Sequence, residues 1–484
     1  MIKSIKQLQP SIVWEYFDEI CQIPRPSKRE GKIKAYLHDF GAKYNLETIE
    51  DEIGNILIRK NATKGYEDYP WVVLQSHIDM VCEKNSDVKH DFDKDPIQTR
   101  IEDGWVKAIG TTLGADDGIG IAAQLAILAS TNIEHGPIEC LFTVDEESGL
   151  SGAFGLKPDL LKSKILLNLD SEEEGELFIG CAGGMDTVIN FAKTTELAPL
   201  TDKWYKIVIS GLRGGHSGDD IQKGYGNANK ILNRILYRGT VAYGLRLAHF
   251  DGGNLRNALA REAFAEVCVP ETVANDFEEM LLQIANEIKQ ELNVTEQNLS
   301  ISFTHLNSMI NVLTIDLQNR LLNAIYACPH GVIAWSQDIP NFVETSTNLA
   351  AVKTKEDHIL VTTSQRSSIE TAKRDVVNMV ASVFKLAGAK VTHSDGYPGW
   401  KPNPNSRIMK ITGQSYEKLF KKKPKVLAIH AGLECGLIGK TYPEMDMISF
   451  GPTIKGAHSP DERLEIKTVQ MFWDLTLDIL KSVK

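Results

Sequence analysis

The sequence predicts an α/β fold in which a mostly parallel sheet domain is interrupted by an inserted α+β segment, and three observations carry that prediction. Apolar runs rich in β-formers alternate with segments of helical spacing over the first 186 residues, the character changes after GELFIGCAGGMD, and the first style returns from about residue 399. The expected organisation is a first segment 1–186 of the sheet domain, an insert 187–398 and a second segment 399–484. A chain of 484 residues is too long for one ordinary core, which agrees with that division.

Taken in order, REGKIKAYLHDFGAKYN (29–45) spaces its apolar residues as a helix, and NILIRK and WVVLQSH read as strands. DGIGIAAQLAILAST (117–131) is a second helix, and IECLFTV and KILLNLD are further strands. In such sheets ligands gather beyond the carboxyl ends of the strands. Three of these strands run into SHID, TVDEES and NLDSEEEG, so histidine and carboxylates collect where a ligand would. The insert offers strands KWYKIVIS, AFAEVCV, LSISFTHL and HILVTTSQ between the helices FEEMLLQIANEIKQEL and IETAKRDVVNMVASVFKLAG. The last segment resumes with helix SRIMKITGQSYEKLF, strands PKVLAIHA and MDMISFG, and helix LEIKTVQMFWDLTLDILKSV.

Composition narrows the function. With 42% apolar and 24% charged residues the chain can bury a core and solvate a surface. A net charge of −11 excludes a general nucleic-acid surface and favours cations in acidic clefts. The N-terminal MIKSIKQLQPSIVWEYF has no continuous apolar core, and no stretch approaches the ~18 apolar residues of a spanning helix, so a cytoplasmic protein without a membrane partner is expected. Seven cysteines, an odd number at scattered positions, argue against a disulfide framework, and Cys140 within IECLFTV reads as a small core residue.

Five islands hold the candidate chemistry: SHID with His77 and Asp79, GTTLGADDGIG with Asp116, TVDEESG with Glu146 and Glu147, NLDSEEEG with Asp170, and IKGAHSPDERL with His458. Each alone has an ordinary reading. His77 and Asp79 can be a hydrogen-bonded pair closing a strand, Asp116 and Asp117 can cap the helix that follows, the glutamates can be a charged loop, and His458 can sit on a surface turn. Together those readings require several unrelated accidents at strand ends. If the strand continues through SHID, His77 and Asp79 share a face. If DEES is extended, Glu146 and Glu147 point apart, so one can bind a cation while the other faces water.

The pattern H-x-D, a G-A-D-D loop, a strand ending in E-E, a later D and a distant H closely resembles the dizinc metallopeptidases that include the aminoacylases, glutamate carboxypeptidases and tripeptidases. The resemblance extends over almost the whole chain and implies a split catalytic domain with an inserted lid that also dimerises. It implies two zinc ions per chain, with manganese or cobalt as possible substitutes. His77, Asp116 and Asp170 would hold one ion and Asp116, Glu147 and His458 the other, Asp116 bridging. Asp79 would then orient His77, and Glu146 would be the general base for a hydroxide shared by the two ions.

In the insert, the resemblance makes His216 of GLRGGHSGDDI an oxyanion donor, although a glycine-flanked histidine alone reads as a turn residue. It makes Asn257 of GGNLRNALA and Arg366 of TTSQRSS substrate-binding groups, the arginine suiting a carboxylate. Many relatives carry D-x-K-G where this chain has Asp116-Asp117-Gly118-Ile119-Gly120. That departure, with TTLGADDGIGIA, FTVDEESGLSGA and GAHSPDERL, favours the branch that hydrolyses Xaa-His dipeptides, the β-alanyl type included. His430 and Glu434 of HAGLECG stand at helical spacing for a metal pair, but the resemblance makes this stretch part of a substrate pocket. The enzymatic rival is a tripeptidase, aminoacylase or deacetylase on the same scaffold. A non-catalytic peptide binder has no use for a water-activating base such as Glu146.

Overall fold

The computed structural model describes residues 4–307 and 311–484. Residues 1–3, where the N-terminal segment read above begins, lie outside them. The chain divides into two compact units. The first takes the residues up to Gly180 together with Trp400–Ala428 and Leu433–Lys484, and the second takes Cys181–Gly399 and Ile429–Gly432.

The first unit is built on an eight-stranded sheet. Its centre is parallel, in the order Ile138–Thr143, Val72–His77, Ile165–Asn168 and Asp446–Ser449. Ile56–Lys60 and Glu47–Glu50 add antiparallel strands on one flank, and Glu176–Cys181 pairs antiparallel on the other, so the sheet is mixed around a parallel core. All six residues of Val72–His77 and all six of Ile138–Thr143 are buried. That explains continuous apolar runs in place of alternation, since central parallel strands are covered on both faces. Helix Ala115–Ala129, apolar almost all round, packs on Val72–His77 and against helix Ser11–Cys21.

A smaller antiparallel sheet in the same unit joins Thr99–Glu102, Trp105–Ala108, Arg463–Glu465 and Ile454–Lys455. The connection between its last two members carries His458.

The second unit is α+β. A nine-stranded sheet includes Asp202–Ser210, Ala263–Pro270, Arg246–Gly252, Val343–Thr354, His358–Ser367 and Gly183–Ala192, with antiparallel neighbours throughout the described pairings. Helices Ala228–Tyr243, Ala274–Glu291, Ile315–Ala327 and Glu370–Leu386 supply the apolar side chains that meet those of the strands, with Tyr205, Phe250, Phe277 and Phe384 fully buried in one core. Among the described residues, no helix is long and apolar enough to cross a membrane.

Candidate metal centre

Strand Val72–His77 ends at His77, so Asp79 lies beyond the strand rather than on its face. The chain still turns the two side chains together, with His77 Nδ1 3.3 Å from Asp79 Oδ1. Asp79 is fully buried and accepts from Ser27 Oγ at 2.7 Å and from the backbone N–H groups of Glu146 and Glu147 at 3.0 and 3.2 Å. Burial works against its charge, but His77 and these donors hold the carboxyl down at about 2. One aspartate therefore anchors the DEES turn and sets its charge against the imidazole.

That turn is not extended. Asp145 takes a left-handed conformation (φ 51°) and Glu146–Gly149 form one helical turn, so Glu146 and Glu147 diverge by helical rotation rather than by strand alternation. Asp145 reaches this conformation with its carboxylate accepting from Ser148 and Ser151 hydroxyls. The two aspartates at the start of helix Ala115–Ala129 also divide their work. Asp117 accepts from Gly120 N–H at 3.1 Å, as a cap does, while Asp116 turns its carboxylate to the histidines.

Asp116 Oδ1 lies 3.0 Å from His77 Nε2, and Asp116 Oδ2 lies 3.2 Å from His458 Nε2. Asp170 Oδ1 approaches His77 Nε2 at 3.5 Å, and Glu147 Oε2 approaches His458 Nε2 at 3.0 Å. Two donor groups result, His77 with Asp116 and Asp170, and Asp116 with Glu147 and His458, the atoms of each lying within 4.8 Å of one another. Glu146 falls in a third such group with His77 and Glu147. His458, at φ 63° on the loop of the smaller sheet, keeps a half-exposed side chain, which accounts for its resemblance to a surface-turn residue.

The electrostatics ask for cations. Burial would lower the His77 imidazole, yet Asp170, Asp116 and Asp79 raise it well above its ordinary value. Burial lifts the carboxyls of Asp170 and Glu146 well above the usual range, and their acidic neighbours add to it. Hydrogen bonds to Asp116 and Glu147 push His458 up to about 11. Four carboxylates, Asp116, Glu146, Glu147 and Asp170, outnumber the two imidazoles, and Glu147 Oε1 is buried with no hydrogen-bond partner. Imidazole and carboxylate donors with an unsatisfied oxygen among them fit divalent ions such as zinc.

The other candidates lie in the second unit. His216 Nδ1 accepts from the N–H groups of Gly218 and Asp219 at 3.3 and 3.2 Å, and its Nε2 stands 3.5 Å from Arg366 Nη2. The Asn257 carbonyl accepts from Ser217 N–H at 2.8 Å, which ties its loop to the one bearing His216. Asn257 and Arg366 line one cavity of about 220 Å³ with Arg256 and Tyr397. Tyr397, for which the sequence gives no signal, receives a hydrogen bond from Arg366 Nη1 at 3.1 Å.

His430 and Glu434 do not share a helix, because that helix begins at Glu434. His430 meets Ser346 Oγ at 2.7 Å, whereas Glu434 accepts from Gln75 and Thr143 at 2.6 and 2.7 Å. Neither belongs to a three-donor group among the described residues.

An α/β unit that gathers two imidazole and carboxylate donor groups on one shared aspartate, at the carboxyl ends of its parallel strands, has the build of a metal-dependent hydrolase. The chain belongs to peptidase family M20/M25/M40, whose sequence model matches residues 73–481. It is 44% identical over 482 residues to the cytosol non-specific dipeptidase of Escherichia coli K12, covering 100% of this chain and 99% of that protein. The crystal structure of aminoacylhistidine dipeptidase from Vibrio alginolyticus superposes with a TM-score of 0.94 at 45% identity, over 99% of this chain and 98% of that one. A Staphylococcus aureus tripeptidase shares the fold at a TM-score of 0.58 and 20% identity, over 98% and 99% of the two chains.

Proposed function

We propose that this chain is a cytosolic metal-dependent dipeptidase that hydrolyses the peptide bond of Xaa-His dipeptides with two zinc ions, and that it works as a homodimer joined through the inserted unit as its lid. The observation that carries the reading is the placement of Asp116 between His77 and His458, each imidazole being completed by its own carboxylate, Asp170 or Glu147. Identities of 44% and 45% over almost the full lengths of two proteins named as dipeptidases support dipeptide hydrolysis, and the name of the second supports the Xaa-His class.

His77, Asp116 and Asp170 would hold one ion and Asp116, Glu147 and His458 the other. Bound there, the ions would polarise the scissile carbonyl and acidify a water. Glu146 is the base: its carboxylate takes the proton of the attacking water and returns it to the leaving amine. The Asp79 bond to its backbone holds it in place. The Asp79 carboxylate, 3.3 Å from His77 Nδ1, favours the tautomer with the proton on that nitrogen and so leaves the Nε2 lone pair for ligation. In the lid, His216 donates to the oxyanion of the tetrahedral intermediate, Asn257 binds the substrate backbone and Arg366 its carboxylate. Metal analysis of the purified protein together with hydrolysis of a dipeptide panel tests the reading: two ions per chain and preferential cleavage of Xaa-His are expected, and full activity in a verified metal-free sample overturns it.

A further inference from the structure

Glu462 lies four residues beyond His458, in the same loop of the smaller sheet, and is buried at 2% exposure. Its carboxylate points at the segment that carries Asp116. Oε2 accepts from the N–H groups of Leu113 and Gly114 at 2.7 and 2.9 Å, and Oε1 accepts from those of Ala115 and Asp116 at 2.7 and 3.4 Å. Four successive donors, in the irregular segment that leads into the regular part of helix Ala115–Ala129, thus converge on one anion.

The opposite side of the same segment is fastened by Arg25, also 2% exposed. Arg25 Nη2 donates to the Gly114 carbonyl at 2.5 Å, and Nη1 donates to those of Ile78 and Asp79 at 3.2 and 2.5 Å. Gly114 is left-handed (φ 67°), and a Cβ there would meet Arg25 Nη2 at 2.6 Å and Met80 Sδ at 2.9 Å. Only glycine lets guanidinium and carboxylate grip one peptide from both sides.

Asp117 Oδ1 takes the Gly120 N–H and Glu462 takes the N–H groups of residues 113–116, while the Asp116 side chain is turned to the two histidines. The His458 loop has its own internal bonds, Ser459 Oγ to Gly456 O at 2.7 Å and Glu462 N–H to Ser459 O at 3.0 Å. With its imidazole half exposed, His458 owes its position to the loop rather than to packing. One carboxylate therefore ties the loop that carries His458 to the segment that carries Asp116.

We propose that Glu462 is a positioning residue that holds the His458 loop in register with the Asp116 segment, so that the second metal site assembles on the first. This rests on the ligand assignment above. Glu462→Gln keeps size but replaces an acceptor oxygen with an NH2 group that faces N–H donors, and Glu462→Ala removes the tie.

The test is a titration of metal-free protein with Co²⁺, read by its visible absorption, and with Zn²⁺ against a competing chelator. Parent protein is expected to take two ions. In both variants the second ion should bind ~10- to 100-fold more weakly, as is typical when a group supporting a ligand is lost, with the first changed less. Glu462→Asp, whose shorter carboxylate cannot span all four donors, should fall between, and it is the variant measured if the others do not fold. Two ions at parental affinities in the folded variants overturn the proposal, as does a lowered melting temperature of the metal-free variant with an unchanged ratio of the two affinities. Parent protein that takes fewer than two ions overturns the ligand assignment instead.

Discussion

Exchanging carboxylate for amide at Glu146 and, separately, at Glu147 discriminates the base from the ligand, because the two residues are neighbours with different surroundings. Glu147 Oε2 faces His458 Nε2 at 3.0 Å, whereas Glu146 is held through its backbone by Asp79 and has no imidazole that close among the described ion pairs. Glu146→Gln preserves size and the Asp79 bond but removes the proton acceptor. General-base catalysis is worth ~10²–10⁴, so kcat should fall by that factor, about 2.7–5.5 kcal/mol in barrier height, with two ions still bound. Glu147→Gln takes one donor of three from the second group, and metal content should drop toward one ion per chain at the same protein concentration. Steady-state hydrolysis of an Xaa-His dipeptide with metal analysis on the same samples measures both. If Glu147→Gln keeps its metals and loses kcat while Glu146→Gln loses metal, the roles in DEES are reversed and the reasoning fails.

Other outcomes follow from the same geometry. Prolonged chelation should abolish hydrolysis, and added Zn²⁺ should restore it; activity that survives verified metal removal refutes the metal's role. His216→Ala should keep both ions and substrate affinity while kcat falls ~10²–10³, the usual cost of one oxyanion donor, and mixing it with Glu146→Gln should recover activity only if His216 serves the partner's site. Arg366→Met should raise KM for a dipeptide ~10-fold or more but leave KM for the corresponding dipeptide amide unchanged, since a hydrogen bond to a charged group contributes about 1.5–3 kcal/mol; equal effects on both substrates refute carboxylate recognition. Burial, aided by Arg366, holds the His430 imidazole down at about 3, so its contribution to stability is intact above pH 6.5 and is lost as pH falls from there toward 3, by about 2 kcal/mol at pH 5. His430→Asn should accordingly flatten the acid limb of thermal stability measured on metal-free protein, and an unchanged limb refutes the assignment.

The α/β centre was legible because fully covered strands leave uninterrupted apolar runs, as in Val72–His77 and Ile138–Thr143, and because the chain turns polar abruptly where each strand meets solvent. His77, Glu147 and Asp170 stand at or just beyond those turning points, so composition and position pointed to them together, whereas Asp116 opens a helix and His458 lies on the loop of the smaller sheet. Details of the turns were not legible. His77 and Asp79 meet after the strand has ended, and DEES closes into a helical turn on a left-handed Asp145, a backbone choice set by hydroxyl donors that carry no periodic signal. Glu462 and Arg25 were invisible for a related reason. Each acts on backbone N–H or C=O groups, which every residue possesses, so no spacing in the sequence marks their partners.

HAGLECG shows where spacing ceases to inform. Two polar residues four apart suggest one helical face only if one helix holds both, yet the helix begins at Glu434 and His430 stands outside it. Their surroundings then diverge: Ile429–Gly432 belong to the second unit and Leu433 onward to the first, so the chain passes between cores within the motif. Glu434 is fully buried on the Gln75 and Thr143 side chains, and burial raises its carboxyl to about 7, whereas His430 is kept neutral beside Ser346. Each of the two residues thus answers to the side chains of its own unit. A segment divided in this way can imitate the polar spacing of a site, and only the partners each side chain finds distinguish the two.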